Sequence, residues 1–316
     1  MIPSLLNQKL LYSIYYKPEH PGGFSSTIEL YNEAKKINPD ITLKDVRYFL
    51  SNKRSFFLHQ KKRIKFKRRK IITNGLFDLF QLDLVILPQL KEYNDDYQYL
   101  LTMIDCFSRK AYVEPLKYKT AAATLDAFKK ILTTLEKKPV RIQTDGGGEF
   151  RGVFLDFLNK NNIKYYTTYS PIKCAIVERF NRTLLSIIYK YFTFKKSLRY
   201  IDVLHKIVDN YNNSRHRTLG LAPNQVNELN ENIIWKKLYS KYLYDKKSKF
   251  DFEIGEPVLI TKYKNIFYKG YKQNWKQEIF YIAHRLRTRP ITYILKDKSG
   301  ETILGSFYSQ ELQKIR

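Results

Sequence analysis

Three acidic residues lie at positions where a carboxylate is difficult to explain by structure alone. Asp83 interrupts the apolar run 79–87, Asp145 follows a strand-like run and precedes three glycines, and Glu178 lies near the start of a helical pattern. An acid in an apolar setting is costly unless it is paired with a cation or binds a metal. In a chain with a formal charge of +27, this pattern favours a divalent metal site and phosphoryl transfer on nucleic acid.

This chemistry requires positioning of the reactants more than covalent help from the protein. Two cations roughly 3.5–4 Å apart can hold the nucleophile, the scissile phosphate and the leaving oxygen in line. Magnesium binds through carboxylate oxygens and keeps several water ligands. Three carboxylates are enough when they come from a central strand, from the end of a neighbouring strand and from a facing helix. The sequence predicts Asp83, Asp145 and Glu178 on those three elements.

Glu178 also has a purely structural interpretation. The helix that contains it is amphipathic, and the predicted apolar stripe consists of Val177, Phe180, Leu184, Ile187 and Tyr191. Glu178 lies off this stripe, four residues before Arg182, and such a surface pair contributes only a few tenths of a kcal/mol, roughly. The two other acids in apolar settings favour the functional interpretation over the surface pair.

The composition indicates a polyanionic partner. The chain has 57 Lys and Arg against 30 Asp and Glu, an imbalance typical of nucleic-acid binding. The 26 Tyr and 20 Phe could stack on bases, although an AT-rich genome also explains part of the Tyr and Lys abundance. Two cysteines cannot form a disulfide framework or a Cys-rich zinc site. Without an apolar run of membrane-span length or a signal-peptide pattern, we expect a soluble intracellular protein with no membrane partner.

Residues 1–70 read as a small helical DNA-binding domain with a basic exit. Ser26 with Glu29 and Thr42 with Asp45 predict capping boxes that open two short helices, as in a helix-turn-helix-like module. The following segment, 51–70, contains no acidic residue. A solvated face or a localisation signal would explain such a run, but contact with DNA phosphates is favoured. The candidate contacts are Lys61, Lys62, Arg63, Lys67, Arg68, Arg69 and Lys70.

Residues 71–245 predict an α/β core, and residues 246–316 predict a small all-β domain. Strand-like runs at 79–87, 98–106, 110–116, 140–144 and 164–167, with intervening helical patterns, indicate a mixed five-stranded sheet with helices on both faces. The all-β domain has strand-like runs at 258–260, 278–285, 292–295 and 301–304, which fit a five-stranded barrel. Its aromatics could form a methyl-lysine cage, although burial in the core is the better interpretation; they are Tyr271, Trp275, Phe280 and Tyr281.

Several motifs of the core occur together and in a fixed order. They are Gln81-Leu82-Asp83, the segment 102–110, the segment 143–150 that contains Asp145, Val177-Glu178-Arg179-Phe180-Asn181, and the segment 211–223. In these motifs the chain resembles the retroviral-integrase superfamily, which has a ribonuclease H-like core and a DDE triad. Features of both termini, such as Pro21-Gly22-Gly23 and the tail 305–314, resemble more closely the integrases of Maverick/Polinton transposons and virophages.

The resemblance implies a DNA integrase that trims the 3′ end of an element and joins it to target DNA. Asp83, Asp145 and Glu178 would be the catalytic metal ligands for two Mg²⁺ or Mn²⁺ ions, with Arg179 and Arg182 as further DNA contacts. The C-terminal domain would be SH3- or chromodomain-like, with chromatin contact as a possible role. The partners would be double-stranded element ends and target DNA, bound by a homotetramer in the host nucleus, or in a virion or viral factory.

The sequence departs from the retroviral pattern at its N-terminus. The first 80 residues contain only His20 and His59 and no cysteine, so no zinc is predicted. Among the remaining candidates, Asp105 is expected to be a structural acid at a strand end, and His216 to be structural. Glu149 could assist the site, but a local hydrogen bond is the favoured role.

Two rival functions stay open at this point. A ribonuclease H-like nuclease would use the same three acids and stop after cutting. A non-catalytic DNA- or chromatin-binding protein would need the basic segments and not the acids.

Overall fold

The N-terminal segment forms four helices. The computed structural model describes residues 4–60, 66–167, 174–243, 249–262 and 272–315. The first helices are α1 (Leu5–Tyr15), α2 (Thr27–Ile37), α3 (Leu43–Ser51) and α4 (Arg54–Phe57). Thr42 and Asp45 form the predicted capping box of α3. At α2 the Ser26 side chain accepts from the Glu29 N–H, which is the half of the predicted box that the structure shows.

The central segment contains the predicted mixed sheet. Its strands are β1 (Leu79–Ile86), β2 (Tyr99–Asp105), β3 (Ala111–Leu116), β4 (Arg141–Thr144) and β5 (Lys164–Thr167), in the order β3-β2-β1-β4-β5. The first three strands pair antiparallel, whereas β4 pairs parallel with β1 and β5 parallel with β4. The prediction of a mixed five-stranded sheet is confirmed.

Helices cover both faces of this sheet. They are α5 (Ala121–Thr133), α6 (Val153–Lys160), α7 (Ala175–Lys195) and α8 (Leu204–Asn213), and a further helix, α9 (Glu231–Leu243), packs with Phe107, which follows β2. Because strand side chains alternate between the two faces, Phe80, Leu82 and Leu84 pack in one core with residues of α5 and α6. Val85 packs in a second core with α7 and α8. Gln81 and Asp83 therefore lie on the face that α7 covers.

The buried stripe of α7 differs in its second half from the predicted one. Val177, Phe180 and Leu184 are buried as expected, but the stripe continues through Ile188 and Phe192. The predicted Ile187 and Tyr191 are only partly buried. The second half was predicted wrongly because apolar residues occur at adjacent positions, Ile187 beside Ile188 and Tyr191 beside Phe192. The pattern alone does not show which residue of each pair is buried.

The C-terminal segment is an antiparallel sheet, as predicted for an all-β domain. Its strands are β6 (Pro257–Ile260), β7 (Phe280–Leu286), β8 (Thr292–Lys296), β9 (Phe307–Tyr308) and β10 (Leu312–Lys314), in the order β10-β6-β7-β8-β9. The predicted strand at 301–304 was wrong, because that segment contributes a single bridge, at Thr302. Gly300 and Gly305, both at positive φ, flank the segment and interrupt an extended ladder.

The chain divides into two compact units, one of residues 70–246 and one that joins residues 1–69 with residues 247–316. The two terminal segments have separate apolar cores and a shared cluster of Phe57, Leu58, Leu259 and Trp275. The indole N–H of Trp275 donates to the Gln60 carbonyl at 3.0 Å. The two terminal segments are therefore packed together. Among the described helices, none combines the length and apolarity needed to cross a bilayer.

Candidate catalytic site

Asp83 is held on β1 by its own strand and by α7. The Leu84 N–H donates to Asp83 Oδ1 at 2.9 Å, and Asn181 Nδ2 donates to Asp83 Oδ2 at 2.8 Å. Asn181 lies on α7, within one helical turn of Glu178, so the same helix carries a predicted catalytic acid and a side chain that holds another. The other amide atom of Asn181, Oδ1, is buried and has no hydrogen-bond partner among the described residues.

Asp145 lies directly after β4, in a turn that requires glycine. The Gly147 N–H donates to Asp145 Oδ1 at 3.0 Å. Gly146 has a φ of +82°, in the left-handed region that side chains other than glycine rarely adopt. A Cβ at Gly147 would lie 2.6 Å from a carboxylate oxygen of Glu149. The glycine stretch therefore lets the chain turn tightly while the Asp145 carboxylate stays at the end of the strand.

Glu178 is exposed in the first turn of α7. Its N–H donates to the Cys174 carbonyl at 3.0 Å, so the helix is already formed at this residue. The positive end of the helix dipole favours an acid in the first turn. Residues 168–173, which precede Cys174, lie outside the described residues.

The charges of the three acids interact. Burial is the main cause that raises the pKa of Asp83, and the negative charges of Asp145 and Glu178 raise it further, against the opposing hydrogen bonds from Leu84 and Asn181. Like charges destabilise one another unless a cation lies between them. The structure thus places Asp83 within electrostatic reach of both Asp145 and Glu178.

The donor set suits a hard divalent cation. Carboxylate oxygens are the ligands that Mg²⁺ and Mn²⁺ prefer, and a cation would relieve the repulsion felt by Asp83. The buried Asn181 Oδ1 leaves an acceptor beside Asp83 for a water molecule of such an ion. In the part of the chain that the structure describes, however, no three His, Cys, Asp or Glu side chains are gathered closely enough to hold a metal.

Asp105, the other acid near a strand end, has a local structural role. Its carboxylate accepts from the Phe107 N–H at 3.1 Å and from both the N–H and the hydroxyl of Ser108, at 3.1 and 2.6 Å. Burial raises the pKa of Asp105, against these hydrogen bonds. The carboxylate closes the turn after β2, in agreement with the expectation of a structural acid.

Glu149 and His216 also make local contacts. Glu149 is buried, with Oε1 at 3.5 Å from Lys119 Nζ, which fits the favoured local role. His216 Nδ1 accepts from the Thr218 N–H at 3.3 Å. Burial, with the charges of Arg109 and Arg179, lowers the pKa of His216 to about 4, so this imidazole is neutral at physiological pH.

The candidate DNA contacts fall into three groups. Arg179 and Arg182 are exposed on α7 beside Glu178, and Lys67, Arg69 and Lys70 are exposed in the segment before β1. The third group of candidates lies outside the described residues and consists of Lys61, Lys62 and Arg63.

Arg68 differs from its neighbours in the basic run. Its Nη1 lies 3.0 Å from Glu311 Oε1, and its guanidinium packs on the rings of Phe66 and Tyr308. The structure therefore gives Arg68 an intramolecular partner where the sequence suggested a phosphate.

The aromatic residues of the C-terminal domain mostly belong to its core. Trp275 and Phe280 are buried, with 4% and 3% of their surface exposed, and Tyr281 is partly buried. Tyr271 lies outside the described residues. Burial of the first two favours the core interpretation over a methyl-lysine cage.

Sequence reasoning missed three polar residues around the acids. Asn181 lies on the buried stripe of α7, and Gln81 and Gln143 are buried on β1 and β4. Each had a detectable signal, because a polar side chain at an apolar position of the helical or strand period needs a hydrogen-bond partner. Their partners lie on other elements, so the signal does not identify them.

Comparison with known proteins defines the class to which this core is similar. Residues 77–170 match the integrase core domain family. An uncharacterised transposon-derived protein of Caenorhabditis elegans is 34% identical over 195 residues. That match covers 61% of this chain and 65% of the relative, which is less than two thirds of the relative's length.

A solved structure shows the same fold. A chain of the simian T-cell lymphotropic virus intasome, solved in complex with a PP2A regulatory subunit, aligns with a TM-score of 0.61 over 92% of this chain and 99% of that chain, at 15% identity. The HTLV-2 integrase catalytic core in complex with magnesium aligns with a TM-score of 0.41 over 50% of this chain and 99% of that one, at 24% identity. Residues 77–170 are thus similar to an integrase core domain, and the chain shares the fold of a chain of that intasome.

Proposed function

We propose that this protein is a DNA integrase of the DDE type, which processes the 3′ ends of a transposon or viral DNA and joins them to target DNA. The proposal is supported by the placement of the three acids on β1, directly after β4 and in the first turn of α7, and by the charges of Asp145 and Glu178, which raise the pKa of Asp83. The integrase core match over residues 77–170 supports the same reaction class.

Each acid has a distinct position in this mechanism. Asp83 and Asp145 would hold metal in both steps, and Glu178 would complete the second ion's ligands. When bound, two Mg²⁺ or Mn²⁺ ions would neutralise the scissile phosphate and activate the attacking oxygen. Asn181 fixes the Asp83 carboxylate through its 2.8 Å hydrogen bond, and the exposed Arg179 and Arg182 would contact DNA phosphates beside the acids.

Both steps of the proposed reaction are direct displacements at phosphorus, without a covalent protein intermediate. In the first step a water oxygen attacks the phosphodiester near the 3′ end of the element, and the bond to the 3′ oxygen of the retained strand breaks. In the second step that 3′ hydroxyl attacks a phosphodiester of target DNA in line, and a target 3′ oxygen leaves. The energy of the broken bond is retained in the new one, so no nucleotide cofactor is required.

The proposal extends to assembly and origin. Joining two element ends to one target requires at least a dimer, and we propose a tetramer acting in a host nucleus, a virion or a viral factory. The antiparallel C-terminal sheet would be an SH3- or chromodomain-like module that contacts DNA or chromatin. The terminal motifs favour a Maverick/Polinton or virophage element as the source.

The test is a strand-transfer assay with the full chain. A labelled duplex carrying the element's terminal sequence is incubated with plasmid and Mg²⁺ or Mn²⁺. The variants are Asp145→Asn and Glu178→Gln. The matched control is Asp126→Asn, because Asp126 is an exposed acid on α5, and α5 packs on the opposite face of the sheet. Plasmid-joined product from the wild type and the control alone supports the proposal.

Two other outcomes would replace the proposal. Trimmed ends without joined product, abolished by the same two variants, would indicate a ribonuclease H-like nuclease. DNA binding without cleavage or joining, unchanged in Asp145→Asn, would indicate a DNA- or chromatin-binding protein without catalysis.

A further inference from the structure

Among the described residues, the one directly before α7 gives the helix no side-chain cap. The first N–H groups of a helix have no intrahelical acceptor, and the residue before the helix usually supplies a side-chain oxygen. Here that residue is Cys174, which makes no capping hydrogen bond. The first turn nevertheless carries Glu178, one of the three proposed metal ligands, so its position matters to the site.

A buried side chain from the sheet supplies the missing acceptor. Gln81 Oε1 accepts from the Ile176 N–H at 2.9 Å and from the Val177 N–H at 3.1 Å. Gln81 is fully buried on β1. One carboxamide oxygen therefore binds two successive amides, directly before Glu178.

A second glutamine fixes the orientation of this carboxamide. Gln81 Nε2 donates to Gln143 Oε1 at 2.8 Å, and Gln143 is also buried. Because an amide oxygen only accepts and an amide nitrogen only donates, the Gln81 carboxamide satisfies Gln143 Oε1 and the two α7 amides together only in the observed orientation. The oxygen must then face α7.

The register of the sheet places this pair next to the acids. Gln81 and Gln143 are direct partners in the parallel pairing of β1 and β4. Asp83 and Asp145 each follow one of these glutamines by two residues, which is one repeat of a strand. The pair thus connects β1, β4 and α7, the three elements at which the three acids lie.

We propose that Gln81 is a positioning residue: its carboxamide, oriented by Gln143, holds the first turn of α7 and so fixes Glu178 relative to Asp83 and Asp145. The proposal rests on the proposed function of these acids. Removal of the oxygen leaves α7 packed through Val177, Phe180 and Leu184 but releases its first turn.

The experiment compares Gln81→Met with a matched variant elsewhere in the same unit. Asn94 is fully buried, and its Oδ1 accepts from the successive N–H groups of Tyr200 and Ile201 at 2.7 and 3.1 Å. Asn94→Leu therefore removes an acceptor for two successive amides, as Gln81→Met does. These hydrogen bonds do not involve β1, β4 or α7. Gln81→Glu keeps an acceptor for both amides, with Gln143 able to donate after rotation of its amide, and tests for rescue.

Two measurements are made on the full chain. Hydrogen exchange of the metal-free protein reports the protection of the Ile176 and Val177 amides. Single-turnover strand transfer, measured against DNA concentration and against Mg²⁺ concentration, separates the rate of the chemical step from DNA affinity and from metal affinity.

We expect Gln81→Met to accelerate exchange at the first turn of α7. The chemical step should slow tenfold to a hundredfold, or the Mg²⁺ requirement should rise by as much, as for other residues that orient metal ligands. The apparent KM for DNA should change less than twofold. Gln81→Glu should restore most of the rate, and Asn94→Leu should lower the unfolding temperature without changing the rate per folded molecule.

The outcomes separate the two proposals. Unchanged exchange at Ile176 and Val177, or equal rate losses in Gln81→Met and Asn94→Leu, would overturn the positioning role while the integrase function stands. Absence of cleavage and joining in the wild type would instead remove the proposed function, and faster exchange in Gln81→Met would then show a cap that is structural only.

Discussion

Asp83 and Asp105 lie on neighbouring strands of the same sheet, the first partly buried and the second buried. They differ in the hydrogen bonds that their carboxylate oxygens accept. Asp105 is 3% exposed and receives three local hydrogen bonds from Phe107 and Ser108. Asp83 receives two, from Leu84 and Asn181, and it faces two negative charges. Burial raises the pKa of both. A raised pKa therefore does not distinguish the proposed catalytic acid from the structural one, whereas the negative charges of Asp145 and Glu178 act only on Asp83 in this comparison.

The largest expected effect is on catalysis. Asp83→Asn should reduce strand transfer by roughly 10³-fold or more, because a group acting directly on the reacting atoms contributes that much. The metal-free variant should be as stable as the wild type or slightly more stable, since a repelled charge is removed. Strand-transfer rates and urea denaturation measure the two effects. A variant that retains a tenth of the wild-type rate would contradict the comparison.

Asp105 should show the opposite pattern. Asp105→Leu leaves the N–H groups of Phe107 and Ser108 without an acceptor, and lost hydrogen bonds to a buried charged group cost about 2–4 kcal/mol. Urea denaturation should show this loss, while activity per folded molecule stays unchanged. A large rate loss in the folded fraction would assign Asp105 to the catalytic site and remove the distinction.

Asn181, on α7, provides a further test of the difference between Asp83 and Asp105. Asn181→Leu removes the 2.8 Å hydrogen bond to Asp83 and also the buried, unpartnered Oδ1. We expect a tenfold to hundredfold fall in strand transfer, typical of a residue that orients a metal ligand, with a change in stability of about 1 kcal/mol or less. Activity measured at several Mg²⁺ concentrations distinguishes weaker metal binding from a slower chemical step.

The least change is expected in the pH dependence of the free energy of unfolding. Because the pKa of Asp83 is raised in the folded state, the folded protein binds more protons than the unfolded chain above the ordinary value of 3.8. This contribution to stability is present at low pH and is lost as pH rises through the folded-state pKa. Asp105 contributes with the same sign.

The two contributions can be separated with a variant and a cation. Urea denaturation of wild type and Asp83→Asn between pH 4 and pH 7 isolates the part due to Asp83, because Asp105 is present in both proteins. A divalent ion should reverse that part in the wild type, since it stabilises the charged carboxylates. If the ion has no effect on the pH dependence, the acids do not share a cation.

Sequence patterns predicted the core sheet well, because local signals determine it. The strands β1 to β5 start and end within one residue of the predicted runs, since turn residues limit each run. At the turns between the first strands, Asp95, Asp96 and Arg109 adopt positive φ. The helix α1 was missed because its pattern is weak: Leu5 and Leu6 are both exposed.

The candidate site was only partly predictable. The sequence shows directly that Asp83 interrupts an apolar run, that Asp145 lies between a strand-like run and three glycines, and that Glu178 lies near the start of a helical pattern. The contacts of Gln81, Gln143 and Asn181 depend on which elements become neighbours, and so does the ion pair of Arg68 with Glu311, residues separated by most of the chain. Such long-range partners do not follow from period or composition.

The indole of Trp275, whose N–H binds the Gln60 carbonyl, has a consequence for the order in which the chain folds. Residues 1–69 leave the ribosome long before residues 247–316, with which they form one compact unit. At about 5–20 residues per second, the first helices wait on the order of ten seconds or more with the surface around Phe57 and Leu58 uncovered. The central unit, residues 70–246, has time to fold in that interval, before the shared cluster of the two terminal segments can close.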